Sequence, residues 1–404
     1  MTDSEIRALV DRYLDADYLT QILVRLLQTP TDVPLGQTEL APEDPKIARY
    51  VREVVRPELL RCGFERIVVD DSNNLVCQIG GEAPSPSLLL MGYAVAQHGN
   101  LMADPYSGRI APAPAYGVDE PCAFGQAATQ HKGALAAGLG ALKLLADSGA
   151  RLRGRLTFAV NTEGRSSHAN SRQIIDGHGV RADQGVLLFA TDNRICLGNR
   201  GRVDVNVTIK GKTTHSGMPW LGLSAIEGAY EAQTRLRTLR FERRHPQLGQ
   251  TQATVYQLTF APIAPHTLPD TATLKIDRRL LPGEDAEGAV AEIRDAIGDL
   301  SPYQVTVEKG AHMYPAEVPV DAPIVRALQA AGRSELGRDV ETFYLPNTFD
   351  MGYANHAGIP SVMFGPGVRR LGDGEVVADE FVALSQVRDA ARVYAHTILS
   401  LLGE

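Results

Sequence analysis

The chain has 404 residues, of which 44% are hydrophobic and 22% are charged, and its formal net charge is −8. This length is too great for one ordinary domain and predicts two. The acidic balance argues against nucleic acid as a partner, because phosphate binding needs a concentrated basic surface. No run of about 18 apolar residues is present, so we expect no membrane partner.

The N-terminus and the cysteines indicate the compartment. The first residues are acidic and lack the apolar core of a secretory signal, which predicts a cytoplasmic protein. The four cysteines are far apart and match no zinc or redox pattern, so we expect reduced thiols. They are Cys62, Cys77, Cys122 and Cys196.

The first half of the chain alternates helical and strand patterns. The segment 87–91 is uniformly apolar, as strands buried in a parallel sheet are, and the Gly/Ala-rich segment 132–146 suits a closely packed helix. A Pro-rich segment at 111–121 predicts a loop. This alternation indicates an α/β sheet with helices on both faces. The other predicted elements are helices at 16–28 and 44–62 and strands at 64–69, 73–79, 156–160 and 185–189.

The pattern changes at about residue 202, where apolar and polar residues begin to alternate as in half-exposed antiparallel strands. The order β-α-β-β-α-β describes a small two-layer domain. The predicted elements are strand 203–210, helix 224–239, strands 254–260 and 271–278, helix 285–299 and strand 304–308.

Buried-strand character returns from residue 313, with a strand at 361–364 and a final helix at 384–402. We therefore predict an α/β fold of two domains. The first has a mixed, mostly parallel sheet flanked by helices and is formed by 1–201 and 313–404. The second, an α+β domain at 202–312, is inserted into the first.

Eight segments stand in a consistent order along nearly the whole chain. They are 88–92, 104–108, 125–133, 198–201, 211–216, 269–284, 358–367 and 379–382. In this order they resemble the landmarks of the aminoacylase, carboxypeptidase G and succinyl-diaminopimelate desuccinylase family of two-zinc amidohydrolases. The resemblance implies a catalytic-type domain and an inserted lid that mediates homodimer formation.

The chemistry of that family depends on two zinc ions that activate a water molecule and polarise an amide carbonyl. Such a centre needs His and carboxylate ligands at strand ends. Here Tyr93 stands where the family has a His ligand, and Val95 where it has the Asp that orients this ligand. Gln130 stands at the bridging Asp. The resemblance therefore implies a divergent member in which the first metal motif is lost.

The remaining metal positions follow the same trend. Phe189 and Val376 occupy two further ligand positions and carry no donor atom. Thr162 replaces the general base, while Glu163 keeps one ligand carboxylate. A single carboxylate cannot hold a catalytic zinc pair, so we expect neither metal nor cofactor.

Two residues of the inserted domain match functional positions of the family. His215 corresponds to a histidine that reaches into a partner subunit's site and stabilises an oxyanion, and Arg278 to an arginine that clamps a substrate carboxylate. Both have structural alternatives. His215 could cap its loop, and Arg278 could pair with Asp277 or Glu284.

Further polar residues complete the candidate site. His266 stands where the family often has an Asn, and we group it with Asn347 among the residues that contact substrate. Near the former ligand positions lie several groups that can hydrogen bond or exchange protons. These are Tyr93, His98, Gln130, His131, His168 and Glu163.

Three interpretations of these groups remain open. They could form a metal-free acid–base cluster, since a His beside a carboxylate can titrate near neutral pH. They could merely satisfy one another as buried polar groups. Alternatively, a shifted metal site could use His98, His131, His168 and Glu163.

The leading hypothesis is a metal-independent enzyme acting on a small amino-acid-derived amide, acyl or peptide-like substrate. Glu163 with His131 or His168 would serve as acid and base, while His215 stabilises an oxyanion and Arg278 holds a carboxylate. The first alternative is a catalytically inactive homologue that binds a small ligand or a partner protein. The second is a zinc-dependent amidohydrolase with a shifted metal site.

Overall fold

The structure is a computed structural model that describes residues 1–34, 40–41, 43–81, 85–96, 102–162, 167–367 and 379–404. The chain forms two compact units. Unit 1 comprises Met1–Leu197, Val318–Phe343 and Tyr353–Glu404, and unit 2 comprises Gly198–Glu317 and Tyr344–Gly352. The longer segment of unit 2 therefore begins at residue 198 and ends at residue 317, whereas the sequence pattern predicts an inserted domain from 202 to 312.

The helices follow the apolar periodicity of the sequence. The region 44–62, predicted as one helix, is helical from Pro45 to Arg61, as α3, a segment of wider turns at Tyr50–Val55, and α4. The predicted final helix is also confirmed. The helices are α1 (Asp3–Tyr13), α2 (Ala16–Leu27), α3 (Pro45–Arg49), α4 (Arg56–Arg61), α5 (Gly133–Ser148), α6 (Ala169–Arg172), α7 (Ala225–Leu236), α8 (Ala286–Ile297), α9 (Pro323–Leu336), α10 (Met351–His356) and α11 (Leu384–Leu402).

The strands are numbered in chain order. They are β1 (Ile67–Val69), β2 (Leu75–Gly80), β3 (Ser87–Tyr93), β4 (Ile110–Ala113), β5 (Val118–Phe124), β6 (Arg155–Asn161), β7 (Gln184–Leu188), β8 (Ile195–Asn199), β9 (Gly201–Lys210), β10 (Thr214–His215), β11 (Arg244–His245), β12 (Gly249–Gln250), β13 (Ala253–Ala261), β14 (Thr267–Leu268), β15 (Thr271–Leu280), β16 (Gln304–Met313), β17 (Ala316–Glu317), β18 (Thr342–Leu345), β19 (Ser361–Phe364) and β20 (Phe381–Ala383).

The main sheet of unit 1 has the strand order β1-β2-β6-β3-β7-β19-β8. Strands β6, β3, β7 and β19 run parallel, while β1, β2 and β8 are antiparallel to their neighbours. Every residue of β3 is buried, as its apolar sequence predicts. The predicted α/β fold with a mixed, mostly parallel sheet is confirmed. The carboxyl ends of its parallel strands gather at one edge, where ligands bind in such sheets.

A second, small sheet in unit 1 corrects one prediction. The Pro-rich segment 111–121, predicted as a loop, contributes to β4 and β5, which pair with β20 in the order β20-β5-β4. Pro112 falls at the irregularity between Ala111 and Ala113, where the ladder is already interrupted. β4 is an edge strand, and prolines are tolerated at edges because one side needs no N–H donor.

Unit 2 has the predicted β-α-β-β-α-β order, formed by β9, α7, β13, β15, α8 and β16. Its antiparallel sheet has the order β13-β15-β9-β16. Alternate residues of β9 and β15 are buried and pack with apolar residues of α7 and α8. The other face carries polar and charged side chains. The alternation in the sequence therefore identifies the buried face of this sheet correctly.

Two composition-based expectations can be compared with the structure. All four cysteines are buried and free of disulfide bonds. Within the described ranges, no helix is both long enough and apolar enough to cross a membrane.

Candidate functional site

An aromatic pair lies at the carboxyl end of β3. The ring of Tyr93 meets the ring of Phe189 edge-on, with the centroids 5.7 Å apart and the planes at 81°. Asn161, at the end of β6, is the direct neighbour of Tyr93 across the sheet, and its carbonyl accepts a hydrogen bond from the Ala94 N–H at 2.9 Å. The strand ends that the resemblance assigns to metal ligands are therefore closed by aromatic packing.

Thr162, at the position of the family's general base, belongs to a closed polar network. Its buried hydroxyl lies 2.7 Å from the Ser72 carbonyl and 2.9 Å from Asn74 Oδ1, and it accepts a hydrogen bond from Asn170 Nδ2 at 2.9 Å. A hydroxyl has one proton and two acceptor positions; here two acceptors face the proton, and Asn170 Nδ2 donates to one of the acceptor positions. Thr162 holds the strand end together, and its neutral hydroxyl does not supply the carboxylate base of the family.

The loop before α5 is held by one carboxylate. Glu380 accepts hydrogen bonds from the backbone N–H groups of Ala127, Thr129 and Gln130 at 2.8, 3.1 and 3.2 Å. The Gln130 carbonyl in turn accepts from the Ala190 N–H at 3.3 Å. Because Ala190 follows Phe189, the structure brings Tyr93 and Gln130 to the same edge. Glu380 is a positioning residue that sequence reasoning had treated only as part of a motif.

His131 is buried beside this edge and is 2% exposed. Within the described part of the chain, neither ring nitrogen makes a well-formed hydrogen bond. Burial lowers the pKa of His131 to about 3, the charge of Lys132 adds to the lowering, and the Val95 backbone opposes it. The ring therefore stays neutral at neutral pH, which differs from the near-neutral titration that the acid–base hypothesis requires.

Lys132 fixes the same loop from the other side. Its buried ammonium donates a hydrogen bond to the Thr29 carbonyl at 2.9 Å and lies 5.6 Å from the centre of the Tyr50 ring. Burial lowers the pKa of Lys132 to about 7, although the charges of Glu380 and Asp32 act in the opposite direction. A buried ammonium is costly unless acceptors face its three N–H donors.

His168 precedes α6 in a left-handed backbone conformation, with φ at +62°. Its buried ring lies 5.7 Å from the ring of Tyr353. Tyr353 donates a hydrogen bond to Asp176, and the Arg172 guanidinium lies 5.6 Å from its ring centre. A non-glycine residue at positive φ is uncommon, and its neighbours must hold it there. His168 thus belongs to a tightly packed aromatic and ionic group.

Three positions discussed for the metal chemistry, Glu163, His98 and Val376, lie outside the described residues. Among the residues that are described, no three His, Cys, Asp or Glu side chains are close enough to hold a metal ion. Phe189 offers no donor atom, and the Thr162 hydroxyl is already used. The described residues at this edge therefore do not fit the zinc pair that the resemblance implies.

In unit 2, His215 lies exposed on β10, opposite Thr267 of β14. The Gly217 N–H donates a hydrogen bond to His215 Nδ1 at 3.0 Å. A neutral ring that accepts at Nδ1 carries its proton on Nε2, so this nitrogen is a donor. The ring of His266 stacks on that of His215 with a centroid separation of 6.1 Å. His215 thus combines a loop-capping contact with a second nitrogen suited to oxyanion stabilisation.

Arg278 forms ion pairs inside unit 2, which is the structural alternative to substrate binding. Its side chain is 2% exposed and binds Glu284 at 3.0 Å and Glu292 at 2.7 Å. The remaining donors bind the Thr251 hydroxyl and the Arg279 carbonyl. All five N–H groups are therefore used inside unit 2, which is inconsistent with a substrate clamp. The sequence predicts the pairing of Arg278 with Glu284 but not the pairing with Glu292. Asp277, the other predicted partner, pairs with Arg279 instead.

The neighbouring Arg279 lies on the opposite, polar face of the sheet. It binds Asp277 at 2.8 Å and the Thr348 hydroxyl at 3.2 Å, and its side chain is 25% exposed. Asn347, a predicted substrate-binding residue, directly precedes Thr348. Side chains alternate between the faces of a strand, and Leu274 and Ile276 mark the buried face on which Arg278 also falls. This alternation can be read from the sequence, and it identifies Arg279 as a better candidate for carboxylate binding than Arg278.

Comparisons with known proteins agree with this architecture. Residues 197–304 match the family model of the M20-type peptidase dimerisation domain. The chain is 27% identical over 341 residues to the uncharacterized protein YgeY of Escherichia coli K12, covering 78% of this chain and 80% of that protein. It is 30% identical over 234 residues to carboxypeptidase G2 of Pseudomonas sp. RS-16, covering 57% and 52% respectively.

A solved structure shares the fold over nearly the entire length. The M20 family metallo-carboxypeptidase Sso-CP2 of Sulfolobus solfataricus superimposes with a TM-score of 0.73 at 15% identity, covering 94% of this chain and 98% of that one. Likeness at this identity concerns the fold alone. Together with the matched dimerisation domain and the two relatives, it shows that this chain belongs to the M20 family of peptidases and amidohydrolases.

Proposed function

We propose that this chain is a metal-independent member of the M20 family that acts on a small amino-acid-derived amide, acyl or peptide-like substrate. The closed hydrogen-bond network of Thr162 carries this proposal. At the position of the family's general base stands a neutral hydroxyl that is held by three hydrogen-bonding partners. The aromatic pair of Tyr93 and Phe189 adds support, because its two residues stand at positions where the family has metal ligands.

The proposed reaction is hydrolysis of an amide bond. Glu163 takes a proton from the attacking water, and the Nε2–H that a partner subunit supplies from its own His215, as the resemblance implies, stabilises the negative charge that develops on the carbonyl oxygen. As the C–N bond breaks, the proton passes to the leaving nitrogen. The low pKa of His131 favours His168 as the histidine that assists this transfer and leaves His131 as a neutral hydrogen-bonding group.

A second candidate function is ligand binding without turnover. The burial and neutrality of His131 favour it, because a neutral imidazole can hydrogen bond to a ligand but is not an acid at neutral pH. Such a protein would bind the same class of small molecule in the same place. The two candidates differ in whether the amide bond is cleaved.

We also propose a cytoplasmic homodimer that forms through unit 2. The match to a dimerisation domain supports it, and so does the edge strand β13, which offers unpaired backbone groups beside exposed apolar side chains. The large exposed apolar residues of β13 and α7 are Tyr256, Leu258, Phe260, Ile226 and Tyr230. The free, buried cysteines are in keeping with a reducing compartment.

The test combines metal content with turnover. Purified protein is loaded with excess zinc, dialysed and measured by elemental mass spectrometry, and N-acyl amino acids and dipeptides are then assayed with and without a chelator. We expect less than about a tenth of an equivalent of zinc per chain and turnover that the chelator does not change. Glu163→Gln should abolish this turnover, whereas Glu65→Gln, at an exposed position, should retain it.

Two outcomes would contradict the proposal. One or two tightly bound zinc equivalents that restore activity would return the chain to the metal-dependent members of the family. Absence of turnover, together with ligand-induced stabilisation against heat that Glu163→Gln does not change, would favour the binding protein.

A further inference from the structure

The loop between β9 and α7 (residues 211–223, the His215 loop) exposes apolar side chains close to its histidine. Trp220, the only tryptophan of the chain, is 75% exposed, and Met218 and Leu221 are exposed as well. Single apolar residues at a protein surface are common and need no explanation. Three large ones within four consecutive positions instead form a patch of the kind that marks an interaction site.

A second segment extends this patch. Ile263, between β13 and β14, is 86% exposed and precedes His266 by three residues. The Ser216 N–H donates a hydrogen bond to the His266 carbonyl at 2.8 Å, and the rings of His215 and His266 stack on each other. The two histidines therefore join two segments that both expose apolar side chains.

The backbone of the His215 loop is fixed by hydrogen bonds. The Met218 N–H donates to the His215 carbonyl at 2.8 Å, and the Leu221 N–H donates to the Met218 carbonyl at 3.1 Å. Reciprocal bonds of 2.8 Å between the backbones of Lys212 and Leu223 close the loop at its base. A loop held in this way is organised before a ligand arrives, which reduces the entropy that binding costs.

Gly222 permits the tight return of the loop. A Cβ atom at this position would collide with the Thr214 methyl group and would lie 2.9 Å from the Lys212 carbonyl oxygen. The close approach of the backbone to β10 therefore requires glycine. The apolar side chains just before Gly222 are exposed by a compact and specific loop.

The chemistry of the two segments suits an uncharged, apolar group. Residues 211–223 and 262–268 contain no Asp or Glu, and Lys212 is their only Lys or Arg. The chain as a whole is 22% charged and has a net charge of −8, so these segments differ from its average composition. An indole ring packs well against aromatic and aliphatic groups, and aromatic pairs gain more than their buried area alone supplies.

Trp220 lies within reach of a substrate that is bound at His215. The turns that begin at His215 and at Met218 each bring their first and fourth Cα atoms to within about 7 Å. The Cα atoms of His215 and Trp220 are therefore separated by roughly 14 Å at most. The side chain of Trp220 and an apolar side chain of a dipeptide-sized substrate can together cover this span.

We propose that Trp220 is a specificity-determining residue that covers a large apolar side chain or acyl group of the substrate. The proposed reaction then prefers substrates with an aromatic or long aliphatic group over substrates with a small or charged one. This inference rests on the function proposed above, in which His215 binds the carbonyl oxygen. Because Trp220 shares a loop with His215, the same subunit supplies both side chains.

Kinetics with N-acetyl-L-phenylalanine and N-acetyl-L-alanine test this specificity. We expect kcat/KM to be about 100-fold higher for the phenylalanine substrate. Trp220→Ala should reduce this preference by at least about tenfold, mainly by raising KM, because the indole contacts the ground state and the transition state alike. Trp220→Phe should keep the preference. Leu60→Ala, at an exposed apolar position of α4, is the control and should leave both substrates unchanged.

Fluorescence of the full-length chain tests the contact without turnover. Because Trp220 is the only tryptophan, the tryptophan emission reports the surroundings of this residue alone. The measurement uses Glu163→Gln, which should bind the substrate without cleaving it. Saturating N-acetyl-L-phenylalanine should shift the emission to shorter wavelength, since it covers an exposed indole, whereas N-acetyl-L-alanine should not.

The two measurements separate a failure of this inference from a failure of the proposed function. A saturating fluorescence shift without turnover of any N-acyl amino acid would contradict the hydrolysis but support the contact with Trp220. Turnover with equal preference for the two substrates, or a preference that Trp220→Ala leaves unchanged, would overturn the inference while the hydrolysis stands. An emission that shifts with protein concentration and does not respond to N-acetyl-L-phenylalanine would also overturn it. That result would identify a second copy of the chain as the occupant.

Discussion

The strand ends of unit 1 and the sheet of unit 2 differ in how much of the family's chemistry they keep. In unit 2, residues 197–304 match the dimerisation domain, and His215 presents a ring nitrogen suited to catalysis. In unit 1, Tyr93 and Thr162 stand at positions assigned to metal chemistry, yet both are committed to packing. The difference teaches that one fold can keep its strand ends joined by hydrogen bonds and apolar contacts while the residues at those ends change.

The largest effect is expected from Arg278 in the core of unit 2. Arg278→Leu leaves the carboxylates of Glu284 and Glu292 without their cation, which should lower the free energy of unfolding by about 3–5 kcal/mol. Urea unfolding measures this loss. Arg279→Leu is the matched control, and its partly exposed pair with Asp277 should contribute no more than about 1 kcal/mol. Similar losses in the two variants would show that the two faces of β15 are wrongly assigned.

A smaller effect should follow from opening the polar network of unit 1. Thr162→Val keeps the side-chain shape but removes the hydroxyl's bonds to the Ser72 carbonyl and to Asn170 Nδ2, at a cost of about 1–3 kcal/mol, while the Thr162 N–H still donates to Asn74 Oδ1. Thr20→Val, on the partly exposed side of α2, is the control and should change stability by less than about 0.5 kcal/mol. If Thr162→Val were as stable as the control, the hydrogen bonds of the Thr162 hydroxyl would not stabilise this strand end.

The buried Lys132 predicts a pH dependence of stability. Its pKa is about 7 in the folded chain and near 10.5 when unfolded, so between these values the unfolded chain binds more protons. Stability from this residue therefore rises with pH above 7 and is lost as the pH falls through 7, by at most about 1.4 kcal/mol per pH unit. Lys132→Met should flatten the rise in melting temperature between pH 7 and 9. Lys309→Met, at a partly exposed lysine, should leave it unchanged. A rise that persists in Lys132→Met would assign it to another group.

Most of the fold could be predicted from the sequence, because buried strands and amphipathic helices leave periodic apolar patterns. The region 44–62 and α11 were identified in this way, whereas α1 was not. Only Ile6 and Val10 of α1 are buried, so its apolar face is too narrow to stand out. The β4 and β5 strands were missed because the prolines in 111–121 indicate a loop, although β4 pairs at an edge and the central strand β5 is paired on both sides at residues 122 and 123, beyond Pro121.

The candidate site was less accessible to sequence reasoning. The loss of metal positions follows from single residues such as Phe189, but the partners of Thr162 come from residues 72–74 and 170, which no motif connects. The low pKa of His131 depends on its complete burial, and this burial cannot be predicted from its place next to Gln130 in the sequence. Arg279 could have been chosen over Arg278 from strand alternation alone, since Leu274 and Ile276 define the inward face.

The smallest effect on stability, and the sharpest test of the comparison, is expected at His215. The ring is exposed, accepts a hydrogen bond from the Gly217 N–H of its own loop and stacks on His266, so His215→Ala should change the free energy of unfolding by less than about 0.5 kcal/mol. If the residue stabilises an oxyanion, the same substitution should lower kcat by about 100-fold or more with little change in KM. Steady-state kinetics on the substrate found by the hydrolysis screen measures this effect, and His178→Ala in unit 1 is the control. A substitution that instead raises KM at constant kcat would mean that His215 contributes to substrate binding alone. Unit 2 would then have kept its fold and its histidine without the catalytic role that distinguishes it from unit 1.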